Sequence, residues 1–174
     1  AEEELAKNNR IYDFMLYIIV VFQYVILYKF LSAINNKDLL WWEVAGRVCS
    51  MGLLCGTFGI NVGHELGHRI NKFEQTLAKA LLMTSLYMHF FIEHNKGHHK
   101  NVATPHDPSS ARLNEPVYTF YLRTIILSYL SAWKIANDEM RKKGLHFLNI
   151  KNEMLQAHVV QLIFVAALIL FLDG

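Results

Sequence analysis

Five histidines lie in two short clusters at the spacing of metal ligands. The first cluster is His64-Glu65-Leu66-Gly67-His68, and the second is Glu93-His94-Asn95-Lys96-Gly97-His98-His99. On a helix, residues i and i+4 lie on one face, about 40° apart around the axis, so each pair of histidines can bind one metal ion. Each cluster lies at the end of an apolar stretch that is suited to a membrane. Placing an ionisable residue at membrane depth costs free energy, so such residues are typical of functional sites. We therefore predict five metal ligands: His64, His68, His94, His98 and His99.

The histidines leave two kinds of metal chemistry open. Neutral imidazole suits zinc, copper, iron and nickel. The first cluster matches His-Glu-x-x-His, the zinc peptidase motif in which Glu65 is the general base. A catalytic zinc, however, uses three protein ligands and keeps one position open. Five histidines exceed that need and fit a site with two metal ions better.

Several other polar residues adjoin the clusters. A carboxylate that accepts the second N–H of a ligand imidazole fixes the tautomer and raises the basicity of the ring. We expect this supporting role, rather than direct ligation, for Glu65 and Glu93, and a similar one for Asn95. The helix face that leads up to His64 offers candidates for a substrate channel, although helix packing explains an apolar residue there equally well. These candidates are Thr57, Phe58 and Asn61.

The composition indicates a membrane protein. Of 174 residues, 53% are apolar and 18% charged, whereas soluble domains average roughly 45–50% and 25%. Three apolar blocks, at about 11–34, 40–63 and 154–172, each approach the ~20 residues that span a bilayer core. None resembles a signal peptide, and strand patterns are absent. We predict an all-α, polytopic transmembrane helical bundle that forms a single domain over residues 1–174.

The remaining segments complete this architecture. An amphipathic lead is expected before residue 11, and a helix over 73–100 carries the second cluster. That helix ends in a turn rich in proline, in which Asp107-Pro108 resembles a helix N-cap with proline at the first helical position. Residues 115–142 form an interfacial helix that changes from apolar to charged.

The charge distribution predicts the orientation in the membrane. The net charge of +2 is small, and nothing indicates a nucleic-acid partner. Lys and Arg crowd into 69–112 and 134–151, whereas the link at 35–38 holds only Lys37. The positive-inside rule then places both histidine clusters on the cytoplasmic side. Cys49 and Cys55 form no CxxC motif, and we interpret them as packing residues.

The order of these motifs resembles a known family. His-Glu-Leu-Gly-His, then Phe-Phe-Ile-Glu-His-Asn-Lys-Gly-His-His, then Val-Ala-Thr-Pro-x-Asp-Pro resemble the integral-membrane alkane hydroxylases (alkane 1-monooxygenases). These belong to the histidine-box group with membrane fatty-acid desaturases and xylene monooxygenases. The resemblance is strongest from about Asn61 to Arg112, and the second box is more specific than the first.

The resemblance implies an enzyme and its cofactors. It implies two non-haem Fe ions held by the five histidines, O2 as co-substrate, and hydroxylation of the terminal methyl group of an alkane taken from the lipid bilayer. It implies rubredoxin as electron donor, recharged by an NAD(P)H-rubredoxin reductase, and a location in the bacterial inner membrane. The family's third box, His-x-x-His-His, and its Asn-Tyr-x-Glu-His-Tyr-Gly motif do not occur here. We therefore expect a longer natural chain that supplies the remaining ligands.

Three alternatives remain open. A fatty-acyl desaturase or hydroxylase, or a xylene-type monooxygenase, would share the metal and the topology and differ in the pocket. A membrane zinc metallopeptidase would use His64, Glu65 and His68. A non-catalytic subunit would use the histidines to bind haem or to transport metal.

Overall fold

The computed structural model describes residues 10–173, and every regular element among them is helical. The α-helices are α1 (Arg10–Ile34), α2 (Trp41–Leu54), α3 (Asn61–Gly67), α4 (Lys72–Met83), α5 (His89–Glu93), α6 (His99–Asn101), α7 (Val117–Lys142) and α8 (Glu153–Asp173). Two π-helical turns, Cys55–Ile60 and His94–His98, continue α2 and α5. The described residues thus confirm the predicted all-helical class. The predicted amphipathic lead, residues 2–9, lies outside them.

Two helices are long and apolar enough to cross a membrane. They are α1 and, within α8, Glu153–Leu172, and they coincide with the predicted spans at 11–34 and 154–172. In their most apolar windows only 22% and 6% of the residues are buried, whereas the core helix of a soluble protein is mostly buried. The third predicted span, 40–63, is divided among α2, a π-helical turn and α3. It stays a prediction.

The described residues fold into two compact units. One runs to Leu86 and includes the end of α8 from Leu170, and the other is Tyr87–Ile169. A single domain therefore also stays a prediction.

In the first unit, hydrogen bonds hold α1 against the C-terminal end of α4. The buried Gln23 side chain donates to Thr84 Oγ1 at 3.2 Å, and the Tyr24 hydroxyl donates to the Ala80 carbonyl at 2.7 Å. Gly63 lets α3 approach α4 closely, because a Cβ atom there would lie 3.2 Å from Leu82 Cγ. These contacts fix the end of α3, where the first histidine cluster lies.

The single helix predicted for 73–100 is divided at Thr84–Met88, between α4 and α5. The Thr84 hydroxyl donates to the Leu81 carbonyl at 2.7 Å, and Leu86 has a left-handed φ of 53°. The Met88 amide leaves the helical ladder and donates to the Gln161 side chain of α8 at 3.0 Å. A tertiary hydrogen bond thus satisfies the amide that the break exposes. Local sequence gives no sign of it, since the segment holds neither glycine nor proline.

In the second unit, α5 packs on α7 and on the start of α8. Ile92, Ala132, Ala136 and Met154 form its buried core, each at most 2% exposed. Helix α7 begins at Val117, after Pro116, close to the predicted start at residue 115. The core fixes the position of the second histidine cluster, which directly follows α5.

Candidate metal centre

The first histidine pair lies at the C-terminal end of α3. His64 and His68 are one turn apart, and their Nε2 atoms face each other at 2.9 Å. Two ligands in cis positions, each about 2.1 Å from a metal, lie roughly 3 Å apart. The pair therefore fits two ligands of one metal ion, as the i,i+4 spacing predicted.

Glu65 lies beside this pair but contacts a different residue. Its Oε1 atom accepts a hydrogen bond from Arg69 Nη2 at 3.0 Å, and its side chain is 52% exposed. Arg69 also forms an ion pair with Asp13 at 3.4 Å. The structure thus pairs Glu65 with a guanidinium, and not with the imidazole that the sequence predicted, because an i,i+4 arginine follows it on the same helix face.

The second cluster is wound as a π-helical turn. The His99 amide donates to the His94 carbonyl, five residues earlier, and the extra residue brings these two side chains together. Their Nε2 atoms lie 3.1 Å apart. The facing pair is therefore His94 and His99, and not the i,i+4 pair that the sequence predicted. Such π-helical turns within α-helices are frequent at functional sites.

His98 is oriented by a carboxylate from the following loop. Its Nδ1–H donates to Asp107 Oδ2 at 2.8 Å, and the Asp107 side chain is completely buried. An anionic acceptor at Nδ1 places the proton there and leaves Nε2 without one, as a metal ligand requires. Asp107, rather than Glu65 or Glu93, thus makes the carboxylate–imidazole contact that the sequence predicted.

Asp107 is held as an anion by three donors. The Ser109 amide donates to Oδ1 at 2.9 Å, and the Ser110 hydroxyl donates to Oδ2 at 2.5 Å. Burial alone would raise the pKa of Asp107, but these hydrogen bonds and the one from His98 lower it. The predicted N-cap is wrong, because no helix follows Asp107, and its carboxylate closes a turn instead.

Arg123 anchors this loop to α7. Its guanidinium contacts both carboxylate oxygens of Glu115, at 2.6 and 2.7 Å, and donates to the carbonyls of Pro108 and Ser110. The hydrogen bond from Arg123 lowers the pKa of Glu115 to about 2. Two-point contact with a carboxylate fixes direction as well as distance. The position of Asp107 therefore depends on a residue on the next helix.

Gly97 lies within the π-helical turn, and the buried Glu93 directly precedes it. Glu93 is 2% exposed, and its Oε1 atom accepts a hydrogen bond from the Ser131 hydroxyl at 3.4 Å. Burial, and next the charge of Asp107, raises the pKa of Glu93. A Cβ atom on Gly97 would lie 2.5 Å from Glu93 Oε1 and 3.0 Å from Ile135 Cδ1. Only glycine fits at residue 97 without a shift of its neighbours.

Lys96 connects the second cluster to two helices. Its Nζ atom lies 2.9 Å from a Glu139 oxygen on α7 and 3.0 Å from a Glu153 oxygen on α8. Burial acts to lower the pKa of Lys96, but the hydrogen bonds to the two carboxylates raise it. The cluster is thus attached to α7 and α8 by a charged group near its centre.

The remaining predicted residues are Asn95, which was expected to support a histidine, and the three candidates for a substrate channel. The Asn95 amide donates to the Phe91 carbonyl at 2.9 Å within its own helix. Phe58 lines an apolar cavity of about 170 Å³ together with Ile19, Phe22, Gln23 and Ile26. Thr57 and Asn61 are exposed and do not line it. Of the three predicted channel residues, Phe58 is therefore the one that lines this cavity.

The sequence missed Asp107, Arg123 and Gly97 as determinants of the second cluster. Asp107 lies in the Thr-Pro-x-Asp-Pro motif that carried the resemblance, so the motif itself was the available signal. Arg123, 25 residues after His98, gave no local signal.

Comparison with known proteins identifies the family. A sequence model described as fatty acid desaturase matches residues 39–173. The chain belongs to this family.

Within the family, the chain is similar to alkane hydroxylases, which confirms the resemblance predicted from the motifs. It is 34% identical to alkane 1-monooxygenase of Ectopseudomonas oleovorans over 94% of this chain and 40% of that protein. It is 35% identical to alkane 1-monooxygenase 1 of Alcanivorax borkumensis over 95% of this chain and 41% of that protein. The xylene/toluene monooxygenase hydroxylase component of Pseudomonas putida is 30% identical over 76% of this chain and 36% of its own length. The chain thus spans about two fifths of the curated alkane monooxygenases that it matches.

Proposed function

We propose that this chain is part of a membrane monooxygenase that hydroxylates the terminal methyl group of alkanes. The observation that carries the proposal is the pair of facing imidazoles in each histidine box, with Nε2 separations of 2.9 and 3.1 Å. The similarity to alkane 1-monooxygenases over nearly the whole chain supports it. The exposed apolar helices α1 and α8 support a location in the membrane.

The residues present fit a histidine-bound metal centre. The imidazoles of each box, with His98 held in one tautomer by Asp107, are nitrogen donors of the kind suited to iron. We propose two non-haem iron ions as the cofactor, and His64, His68, His94, His98 and His99 as part of their ligand set. Iron in such a centre, with O2 and two electrons, supplies the oxidising power that an unactivated C–H bond demands.

The protein groups around the histidines prepare the centre. Asp107 holds the Nδ1 proton of His98, and the π-helical turn sets the distance between His94 and His99. Glu93 is buried beneath them, and the ion pairs of Lys96 fix the turn against α7 and α8. These contacts hold the ligands in place before metal binds, which lowers the ordering cost of binding.

Electron supply and orientation complete the proposal. We propose that rubredoxin, recharged by an NAD(P)H-rubredoxin reductase, delivers the electrons. The Lys/Arg asymmetry of the sequence supports a cytoplasmic position for the histidine boxes in the bacterial inner membrane, where a soluble donor reaches them. Alkanes partition into the bilayer, so a membrane enzyme takes its substrate from lipid.

The xylene-type monooxygenase is a second candidate. The 30% identity to the xylene/toluene monooxygenase hydroxylase component supports it. Competition between octane and m-xylene as substrates of the intact natural protein separates the two. The zinc peptidase hypothesis needs Glu65 as the general base, whereas the Glu65 carboxylate contacts Arg69.

The test uses the intact natural protein, reconstituted with rubredoxin and its reductase. We expect about two irons per chain by elemental analysis and formation of 1-octanol from octane. His64→Ala, His68→Ala, His94→Ala, His98→Ala and His99→Ala should each abolish product, whereas His146→Ala, at an exposed loop histidine, should not. One zinc per chain, or near-normal iron and turnover in any two of the five variants, contradicts the proposal.

A further inference from the structure

An open groove lies between α1 and α2, in the first unit, and no histidine lines it. It has a volume of about 580 Å³, within the range of roughly 300–1,000 Å³ that is usual for small-molecule sites. Its walls are mainly apolar and include Ile26 and Phe30 of α1 and Met51 and Leu54 of α2. Two cations also line it, Lys29 from α1 and Arg47 from α2.

The two cations lie at similar depth below one end of the helices. Lys29 is five residues before the end of α1 and Arg47 is six residues after the start of α2, about 8 and 9 Å along each axis. Trp41 and Trp42, 75% and 54% exposed, begin α2 at this end. Exposed tryptophans mark the level of the lipid headgroups. Long basic side chains just inside that level extend their charge toward the headgroups.

Neither cation has an acidic partner among residues 10–173. The ion pairs within this range involve other residues, and neither the Lys29 nor the Arg47 side chain donates a hydrogen bond there. Glu43 also lines the groove, but its carboxylate accepts the Leu40 amide at 2.9 Å in the first turn of α2. Two cations and one carboxylate leave the groove a charge of +1.

We propose that this groove binds an anionic phospholipid, with its phosphodiester between Lys29 and Arg47 and an acyl chain along the apolar wall. A phosphodiester carries one negative charge, which matches the charge of the groove. Two cations beside an apolar wall match the charged headgroup and the acyl chain that such a lipid presents. The site does not depend on iron or on hydroxylation.

Glycines of α2 provide a matched pair of groove variants. Gly46 lines the groove and Gly52 does not, and a Cβ atom at either residue meets no atom within 4 Å. Gly46→Leu should therefore place a side chain in the groove, and Gly52→Leu adds the same side chain elsewhere on the helix. Lys37→Gln, in the turn after α1, is the control for Lys29→Gln.

The test is native mass spectrometry of the intact natural protein in mild detergent, with added dioleoylphosphatidylglycerol, dioleoylphosphatidylcholine or oleate. We expect selective retention of phosphatidylglycerol. Retention should fall roughly fivefold in Lys29→Gln and roughly 25-fold in Lys29→Gln/Arg47→Gln, since each basic residue contributes roughly fivefold. Retention should be unchanged in Lys37→Gln.

The glycine variants test the apolar wall of the groove. Gly46→Leu should lose the lipid, and Gly52→Leu should keep it. Iron content should be normal throughout.

Several outcomes would overturn the proposal. Equal retention of phosphatidylcholine removes the role of the headgroup charge, and preferential retention of oleate makes the ligand a carboxylate amphiphile. Equal effects of Lys29→Gln and Lys37→Gln, or of the two glycine variants, place the lipid elsewhere. A wild-type protein that retains no phospholipid shows that the groove is not a phospholipid site.

Discussion

The two histidine boxes reach the same facing-imidazole geometry by different means. His64 and His68 need only an α-helix, because their i,i+4 spacing aligns them, and the acidic residue between them pairs with Arg69. The facing pair of the second box needs a π-helical turn, and its His98 needs a buried carboxylate from a loop. The facing of the two imidazoles is local in the first box, whereas the second box depends on contacts with α7, α8 and the loop after α6. Substitutions in α7, α8 or that loop should therefore damage the second box and leave the first intact.

The largest effect is expected at Gly97, within the second box. In Gly97→Ala the new Cβ atom would meet Glu93 Oε1 at 2.5 Å and Ile135 Cδ1 at 3.0 Å. Overpacking of this kind costs about 1–3 kcal/mol, and here it also displaces the π-helical turn. We expect loss of bound iron and a lower midpoint in thermal unfolding of the detergent-solubilised protein.

Gly52→Ala is the control for this change. Its Cβ atom meets nothing within 4 Å, and alanine is favoured over glycine in a helix by about 1 kcal/mol. This variant should be as stable as the wild type or more so. Equal stability and iron content in the two variants would show that the π-helical turn tolerates a side chain.

The second-largest effect is expected on metal affinity, when the carboxylate beside each box is neutralised. In Asp107→Asn the group facing His98 loses its charge, and supporting residues of this kind typically change metal affinity by roughly 10–100-fold. In Glu65→Gln only an exposed pair with Arg69 is lost, so we expect less than about a threefold change. Chelator titration followed by iron analysis measures both. A larger loss in Glu65→Gln would mean that the carboxylate turns from Arg69 to an imidazole when metal binds.

The third effect tests how the second box is attached to α7 and α8. Lys96→Met leaves Glu139 and Glu153 close together without their common partner. Because these side chains are about one-third exposed, we expect a loss of about 1–2 kcal/mol, between the values for exposed and buried ion pairs. Arg141→Met breaks an ion pair with Asp138 whose arginine is 82% exposed, and it should change stability by less than about 0.5 kcal/mol. Unfolding by SDS titration measures both, and equal losses would contradict the attachment.

The contrast also explains which features could be predicted from the sequence. Hydrophobic blocks predict α1 and α8, because twenty apolar residues are a local property. The spacing of His64 and His68 predicts their contact for the same reason. The pairing of His94 with His99 requires an extra residue in a helical turn, and helical periodicity assumes a regular turn. The break at Thr84–Met88 depends on Gln161, and Asp107 depends on Arg123, so both arise from contacts that spacing does not encode.

The smallest effect concerns pH and the loop that carries Asp107. The pKa of Glu115 is lowered from its ordinary value of 4.5 to about 2, chiefly by the hydrogen bond from Arg123. A lowered pKa means that the folded state favours the charged carboxylate. Its stabilising contribution is therefore complete above about pH 4.5 and is lost as the pH falls toward 2. The difference in thermal midpoint between the wild type and Glu115→Gln should be constant above pH 5 and shrink below pH 4.5.

Arg123→Gln is the control, because it removes the same ion pair. The difference in thermal midpoint between the wild type and Arg123→Gln should show the same pH profile. If the difference between the wild type and Glu115→Gln stayed constant from pH 5 to pH 3, Arg123 would not control the ionisation of Glu115, and the loop of the second box would be held by its backbone contacts alone.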